Sequence, residues 1–319
     1  MNIRNASLLC LTALFFTANI HAQQYPQKAV RVIVTNPAGQ STDVIARIFA
    51  ARLSTALGQS FFIDNRPGAG GIIGTAATAK SPADGYTLMV GTAATHGMSL
   101  ALYDNPGYDP VRDFAPIGLL GRVPMVIAVT PGSGITSVRD LVARSKAGEL
   151  NVALPSPMAT LVMDLIKQRD KANLKNVPYK GSPQAMADIL GGHVQILIDT
   201  STVIAPQVAA GKLIPLGITT PQQSALMPGL KTVAEQGLPG FEVTGWFMMF
   251  APKGTPQPIL AAINAEMRKI QTDPEIQKQL VANGFDLAPV GELGPLNDFV
   301  KVESERWIAA IKAAGSKAP

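Results

Sequence analysis

The side chains of this sequence best suited to chemistry are hydroxyls, amides and small residues, gathered in five short segments. These are Pro37-Ala38-Gly39-Gln40-Ser41-Thr42-Asp43, Arg66-Pro67-Gly68-Ala69-Gly70-Gly71, Gly91-Thr92-Ala93-Ala94-Thr95-His96, Pro155-Ser156-Pro157-Met158-Ala159-Thr160 and Asp199-Thr200-Ser201-Thr202. Segments of this kind can wrap a carboxylate in backbone N–H groups, Ser/Thr hydroxyls and bridging waters, without a dedicated arginine. Taken singly, each is also ordinary turn and cap chemistry. Five of them, each following an apolar run, point to a binding cleft.

Catalysis is poorly provided for. The histidines are His21, His96 and His193, and neither an H-E-x-x-H nor a G-x-S-x-G pattern occurs. His193, beside Gly191 and Gly192, reads as a turn residue. His96, at the end of an apolar run, is placed to hydrogen-bond a ligand. Asp43 suits a helix first turn as well as it suits a ligand. Residues 246–249 (Trp-Phe-Met-Met) read as core rather than an aromatic ligand box. The glycine run from Gly68 fails as a nucleotide fingerprint, because Ile73 stands where the third glycine belongs.

The elements that must position these segments follow from the apolar periodicity. Residues 30–34, 61–64 and 86–90 read as strands. Between them lie a helix with Ile45, Ile48, Phe49, Leu53 and Leu57 on one face, stopped by Gly58, and another over 72–80. A second cycle starts near Pro124, with strands over 125–129, 150–154, 176–179, 194–198 and 213–218 and helices over 138–143, 160–168 and 183–190. A strand over 246–251 precedes two helical stripes, Ile259-Ile263-Met267-Ile270 and Trp307-Ala310-Ile311. This alternation is that of an α/β protein with a parallel sheet and crossover helices.

Composition and the N-terminus set the compartment. Hydrophobic residues are 47% and charged residues 15%, the balance of a globular chain rather than a disordered one. Arg4, the apolar residues 6–18 and the Ile20-His21-Ala22 end have the layout of a signal peptide over residues 1–22, too short to span a bilayer. Leu9 before Cys10 argues against a lipoprotein. Cys10 is the sole cysteine, so the mature chain is expected to lack disulfides, thiol nucleophiles and cysteine metal sites. Cleavage removes Arg4 and no acid, taking the formal charge from +5 to +4. The basic residues are scattered, which excludes a nucleic-acid footprint.

In order and spacing the chain resembles the Bug/TctC family of extracytoplasmic solute receptors linked to tripartite tricarboxylate transporters. The likeness runs through Ser41-Thr42-Asp43-Val44-Ile45-Ala46-Arg47, Leu57-Gly58-Gln59, Asp64-Asn65-Arg66-Pro67-Gly68-Ala69-Gly70-Gly71 and Ala83-Asp84-Gly85-Tyr86-Thr87-Leu88. It continues through Tyr108-Asp109-Pro110, Asp113-Phe114-Ala115-Pro116, Val177-Pro178-Tyr179-Lys180-Gly181-Ser182, Leu190-Gly191-Gly192 and Pro228-Gly229. It ends with Thr232-Val233-Ala234-Glu235-Gln236-Gly237, Gly245-Trp246-Phe247 and Ala251-Pro252-Lys253-Gly254-Thr255-Pro256. The resemblance implies a periplasmic-binding-protein fold of type II, two α/β lobes joined by a two-strand hinge around a cleft that closes on its ligand in Venus-flytrap fashion. On this plan the lobes are residues 23–122 with 230–319, and 123–229. It further implies a periplasmic, monomeric receptor, with no cofactor, metal or nucleic-acid partner, that passes a small organic acid to the membrane components of the transporter.

The resemblance assigns the ligand to Gly39, Gln40, Ser41, Thr42 and Asp43 and to Thr92, Ala93, Thr95 and His96, with Ser156, Thr160, Asp199 and Thr200 tuning the far side. Asn36 and Gln40 stand where the family carries an apolar or aromatic residue and a second glycine. Pro155-Ser156-Pro157-Met158-Ala159-Thr160 replaces a glycine-rich S-x-G-x-G-T segment. Proline removes N–H donors, and these departures predict a ligand other than citrate. Two other readings compete: a sensor subunit reporting to a membrane kinase, and an exported hydrolase with a Ser/His pair at His96 or His193.

Overall fold

The computed structural model describes residues 25–316; the signal-peptide reading of residues 1–22 and Cys10 lies outside them. The chain opens with β1 (Val30–Val34), α1 (Ser41–Leu57), β2 (Phe61–Asn65), α2 (Ile72–Ala79) and β3 (Thr87–Thr92), each placed where the periodicity put it to within two residues. α1 ends as its sequence dictates: Gly58 takes a φ of 69° and returns its N–H to the Ser54 carbonyl. A π-helical turn (Ala93–Met98) and a short α3 (Ser99–Leu102) follow.

β4 (Phe114–Val129) is a 16-residue strand. After it come α4 (Val138–Ala147), β5 (Leu150–Leu154), α5 (Pro157–Asp170), β6 (Leu174–Pro178), α6 (Ser182–Leu190), β7 (Ile196–Thr200), α7 (Ser201–Ala209) and β8 (Ile214–Ile218). β9 (Thr244–Pro252), α8 (Gln257–Thr272), α9 (Pro274–Ala282) and α10 (Leu293–Ala314) complete the chain.

The sheet is mixed rather than parallel, which corrects the sequence expectation. β1 pairs parallel with β2 and β3, and β5 pairs parallel with β6 and β7. Between these groups run β9, antiparallel to β3 and β4, and β4, antiparallel to β7 and β8. The physical reason is the path of the chain. It crosses out of the first group along β4 and returns along β9, so the two linking strands must oppose each other. Thr219 pins the crossing: its buried hydroxyl accepts from the Met125 amide (2.9 Å) and donates to the Val243 carbonyl (2.6 Å).

Besides the short α3, three elements escaped the pattern. The first eleven residues of β4 carry Pro116, Gly118, Gly121 and Pro124, and their pairing with β9 shifts register at Pro116/Gly118 and Leu119/Gly121. α7 contains Pro206, a residue type that disfavours helix interiors. α9 is short, capped by Asp273 with Pro274 in its first turn. Apolar faces of α1 and α8 seal one half of the sheet, where Ile45, Phe49 and Leu53 meet Leu260, Ile263 and Met267. Val126, Ala185, Ile189, Leu197 and Ile204 form a separate core under α6 and α7.

Candidate ligand-binding site

A cleft of about 830 Å³ opens between the two halves of the sheet. Strand ends and helix starts from both sides line it, the place where parallel α/β sheets present unpaired amides. Gln40, Ser41 and Thr42 come from the start of α1, and Thr92 and Ala93 from the end of β3 and the π-helical turn. Ser156 comes from the start of α5 and Thr200 from the end of β7. The structure therefore brings seven of the thirteen sequence-predicted positions to one cavity wall.

The other six lie off that wall. Gly39 is exposed and holds a φ of 82°, which lets its amide turn back to Asp43 Oδ2 at 2.9 Å. Asp43 is a buried fastener. Arg47 grips it with Nε on Oδ2 (2.9 Å) and Nη2 on Oδ1 (2.9 Å), while Asn65 Nδ2 donates to Oδ1 at 3.0 Å. Burial would raise the Asp43 pKa, but these donors together hold its carboxyl below the usual range. The same Asn65 amide donates to the Asn36 carbonyl at 3.0 Å, so the network fixes the whole loop behind α1. Thr95 bonds within its own turn, donating its amide to Thr92 Oγ1 (3.3 Å) and accepting the Thr92 amide (2.9 Å). Thr160 gives its hydroxyl to the Ser156 carbonyl at 3.3 Å.

His96 departs most from its expected role. The π-helical turn swings the ring inward, where it stacks on Phe250 at 4.0 Å and meets Phe114 edge-on at 4.7 Å. It is fully enclosed, and burial pushes its pKa down to about 3, so the imidazole is neutral. Its one polar partner is Thr95 Oγ1, 3.0 Å from Nδ1. His193 is exposed. Asp199 is also enclosed, at the last turn of β7; Oδ1 accepts the Thr200 amide (2.7 Å) while Oδ2 has no partner. Burial pushes its carboxyl up to about 6, and the neighbouring Ser182 hydroxyl, outside hydrogen-bond geometry, only moderates the rise.

Helix capping decides which groups remain for a ligand. Ser156 caps α5 through the Ala159 amide (3.2 Å), so its oxygen is occupied but its O–H is free to donate. Thr92 caps the π-helical turn in the same way. α1, by contrast, has no side-chain cap: Gln40 occupies that position and only its backbone carbonyl bonds the helix, accepting the Asp43 amide at 2.8 Å and the Val44 amide at 3.0 Å. The Ser41 and Thr42 amides, at the start of a 17-residue helix, thus meet the cleft with the positive end of its dipole behind them. The Gln40 side chain is 6% exposed and its Oε1 has no partner.

Residues that sequence reasoning passed over complete the wall. Trp246 and Phe247 from β9, Val123 and Met125 from β4, and Leu154 and Met158 from the second group form an apolar floor. Trp246 serves both roles, core and wall, and its indole N–H is spent on Glu303 Oε2 at 2.9 Å. Lys180, exposed, is the one charged side chain of the lining. Tyr103 and Tyr179 stand at the edges. Gly71, at a φ of 98°, lets the loop after β2 close on the wall: a Cβ there would lie 2.7 Å from Thr95 Cγ2.

The two sides of the cleft touch. Ser41 Oγ and Thr200 Oγ1 lie 2.5 Å apart across 159 positions of sequence. Gly181 sits against Pro37 and Gln40, and Gly70 against Tyr103 and Pro157. Among the described residues no group of three or more His, Cys, Asp or Glu is placed to hold a metal, and no helix is long and apolar enough to cross a membrane.

Residues 45–316 match the family model described as "Tripartite tricarboxylate transporter family receptor". The chain is 35% identical to protein BugT of Bordetella pertussis over 94% of this chain and 93% of that one. Among solved structures it is similar to Rpa4515 of R. palustris with adipate, at 34% identity and a TM-score of 0.88, covering 92% of this chain and 99% of that chain. It is also similar to MatC from Rhodopseudomonas palustris with bound malate, at 29% identity and a TM-score of 0.83, covering 90% and 100%.

Proposed function

We propose that this chain, which belongs to the tripartite tricarboxylate transporter receptor family, captures a small carboxylate in the cleft and delivers it to the membrane components of such a transporter. The observation that carries the reading is the uncapped start of α1 inside a cleft that two groups of strands close from opposite sides. An anion there satisfies amides that have no acceptor within the helix. The adipate and malate held by Rpa4515 and MatC support a carboxylate as the ligand class.

The reading has five parts. Residues 1–22 are a signal peptide and the mature chain works in the periplasm, as a monomer. Residues 23–122 with 230–319 form one lobe and 123–229 the other, with β4 and β9 as the hinge. Gln40, Ser41, Thr42, Thr92, Ala93, Ser156 and Thr200 contact the ligand directly. Asp43, Gly39, Thr95, His96, Thr160 and Asp199 hold the loops that present them. No turnover is expected, since the enclosed His96 carries no nucleophile toward the cleft.

The test is a thermal-shift screen of the mature protein against mono-, di- and tricarboxylates and aromatic acids. A ligand that binds only the folded form raises Tm with concentration, by about 2.7 kcal/mol of added stability at a hundred times Kd. A screen in which no carboxylate moves Tm would overturn the assignment.

A further inference from the structure

We infer that the preferred ligand is a monocarboxylate with an apolar, chain-like or aromatic body, rather than a diacid. The inference rests on the receptor reading above and deepens it. The helix starts that line the cleft are unequal in donors. Gln40, Ser41 and Thr42 at the uncapped start of α1, with the Thr200 hydroxyl 2.5 Å from Ser41, make one seat for one carboxylate. The buried Gln40 carboxamide packs at this seat with its Oε1 unpartnered, its NH2 being the end that can donate to a carboxylate, and the Ser182 hydroxyl, also unpartnered, sits one residue beyond the Gly181 that Gln40 touches.

The start of α5, where a second carboxylate would have to sit, is built differently. Pro155 and Pro157 supply no N–H, and Pro157 stands in the first turn of the helix. The Ala159 amide is taken by Ser156 Oγ, which leaves the Met158 amide as the free donor of that turn. Met158 itself packs on Gly245, in reach of Val123, beside Trp246, whose N–H is committed to Glu303. Among the described residues the lining contains no arginine, and its one lysine, Lys180, is exposed to solvent. A carboxylate laid against these prolines, Met158 and Trp246 would lose its water without gaining a compensating charge, whereas a methyl or ring edge would be at home there.

Matched pairs test this on the wild-type mature protein. Hexanoate and adipate share a six-carbon chain and differ in one terminus; phenylacetate and 1,4-phenylenediacetate differ in the same way. Titration calorimetry is expected to show the monoacid of at least one pair binding ten-fold or more tighter than its diacid. A diacid binding as tightly as its monoacid in both pairs overturns the inference while leaving a carboxylate receptor in place. If no carboxylate of either kind binds, the receptor reading falls and takes this inference with it.

Discussion

Gly181→Ala is the sharpest test of how the cleft closes. Gly181 precedes α6 with an extended backbone (φ 163°, ψ 169°), a conformation that alanine also adopts, so the change adds one methyl group and little else. That methyl would lie 2.9 Å from Pro37 Cγ, 3.3 Å from Pro37 Cδ and 3.2 Å from Gln40 Oε1, all on the opposite side of the cleft. The nearest contact is a proline ring, which cannot swing aside as a long side chain would. Overpacking of this kind costs about 1–3 kcal/mol when surroundings are rigid. Here it acts only when the two sides meet, so it should appear as lost affinity rather than lost stability. The expected weakening for the tightest carboxylate found in the screen is about 5- to 150-fold, at ten-fold per 1.4 kcal/mol. Tm without ligand should be unchanged or slightly higher, since alanine narrows the unfolded ensemble. Calorimetric titration of both proteins, with melts in ligand-free buffer, reads the two quantities separately. Wild-type affinity in Gly181→Ala would refute the view that the contacts seen here are those of the ligand-holding state.

Two further predictions follow from side chains at the same junction. Ser41→Ala and Thr200→Ala should each weaken carboxylate binding, and the double variant should lose less than both losses together, with a coupling of about 0.5–1.5 kcal/mol from their shared hydrogen bond; losses that simply add would show that the bond plays no part in binding. Asp199→Asn should raise stability at pH 8 and not at pH 4. The wild-type carboxyl has a folded pKa of about 6 against an ordinary 3.8, so the stability it contributes is full below 3.8 and is lost as pH rises through 6. An asparagine carries no charge to bury, and the difference at pH 8 should reach about 2–3 kcal/mol by urea melts. The depressed pKa of His96 works the other way, contributing stability above pH 6.5 that is lost as pH falls toward 3, but it is common to both proteins and cancels in the comparison. Equal stability of the two proteins at pH 8 would sink the prediction.

Much of the first α/β cycle was legible because its signals are local. Val30–Val34, the Ile45-to-Leu57 stripe and the Gly58 stop each carry their own geometry in a dozen residues. The first eleven residues of β4 were not, because Pro116, Gly118, Gly121 and Pro124 look like turn residues until a partner strand absorbs the bulges they create. The site divides in the same way. The hydroxyl-rich segments could be found as segments, since helix starts follow strand ends in any such sheet. Which of their side chains face the cleft could not. Thr92 and His96 are four residues apart; the π-helical turn sends one to the wall and the other beneath it against Phe250. Phe247 reads as core and is buried, yet with the equally buried Met125 and Met158 it also floors the cleft, a distinction that exists only once two halves of a sheet face each other.

The contacts that cross the cleft also explain why so neutral a grip can serve a receptor that must let go. Ser41 with Thr200, Ser201 with the Gly284 carbonyl, Gln168 with the Ala313 carbonyl and Ser316 with Asp164, along with a few van der Waals contacts around Gly181 and Gly70, join the two sides. A hydrogen bond of this kind is worth about 1 kcal/mol net. Moving a two-state equilibrium from 1:99 to 99:1 takes about 5.5 kcal/mol of differential binding. These few bonds fall short of that difference, and the ligand supplies the remainder by bridging α1 to the far wall. An arginine clamp would bind the anion nearly as well to one open side and so shift the equilibrium less for the same total affinity. Amides from one half and hydroxyls from the other reward only the arrangement in which both are present, and that ties occupancy to closure.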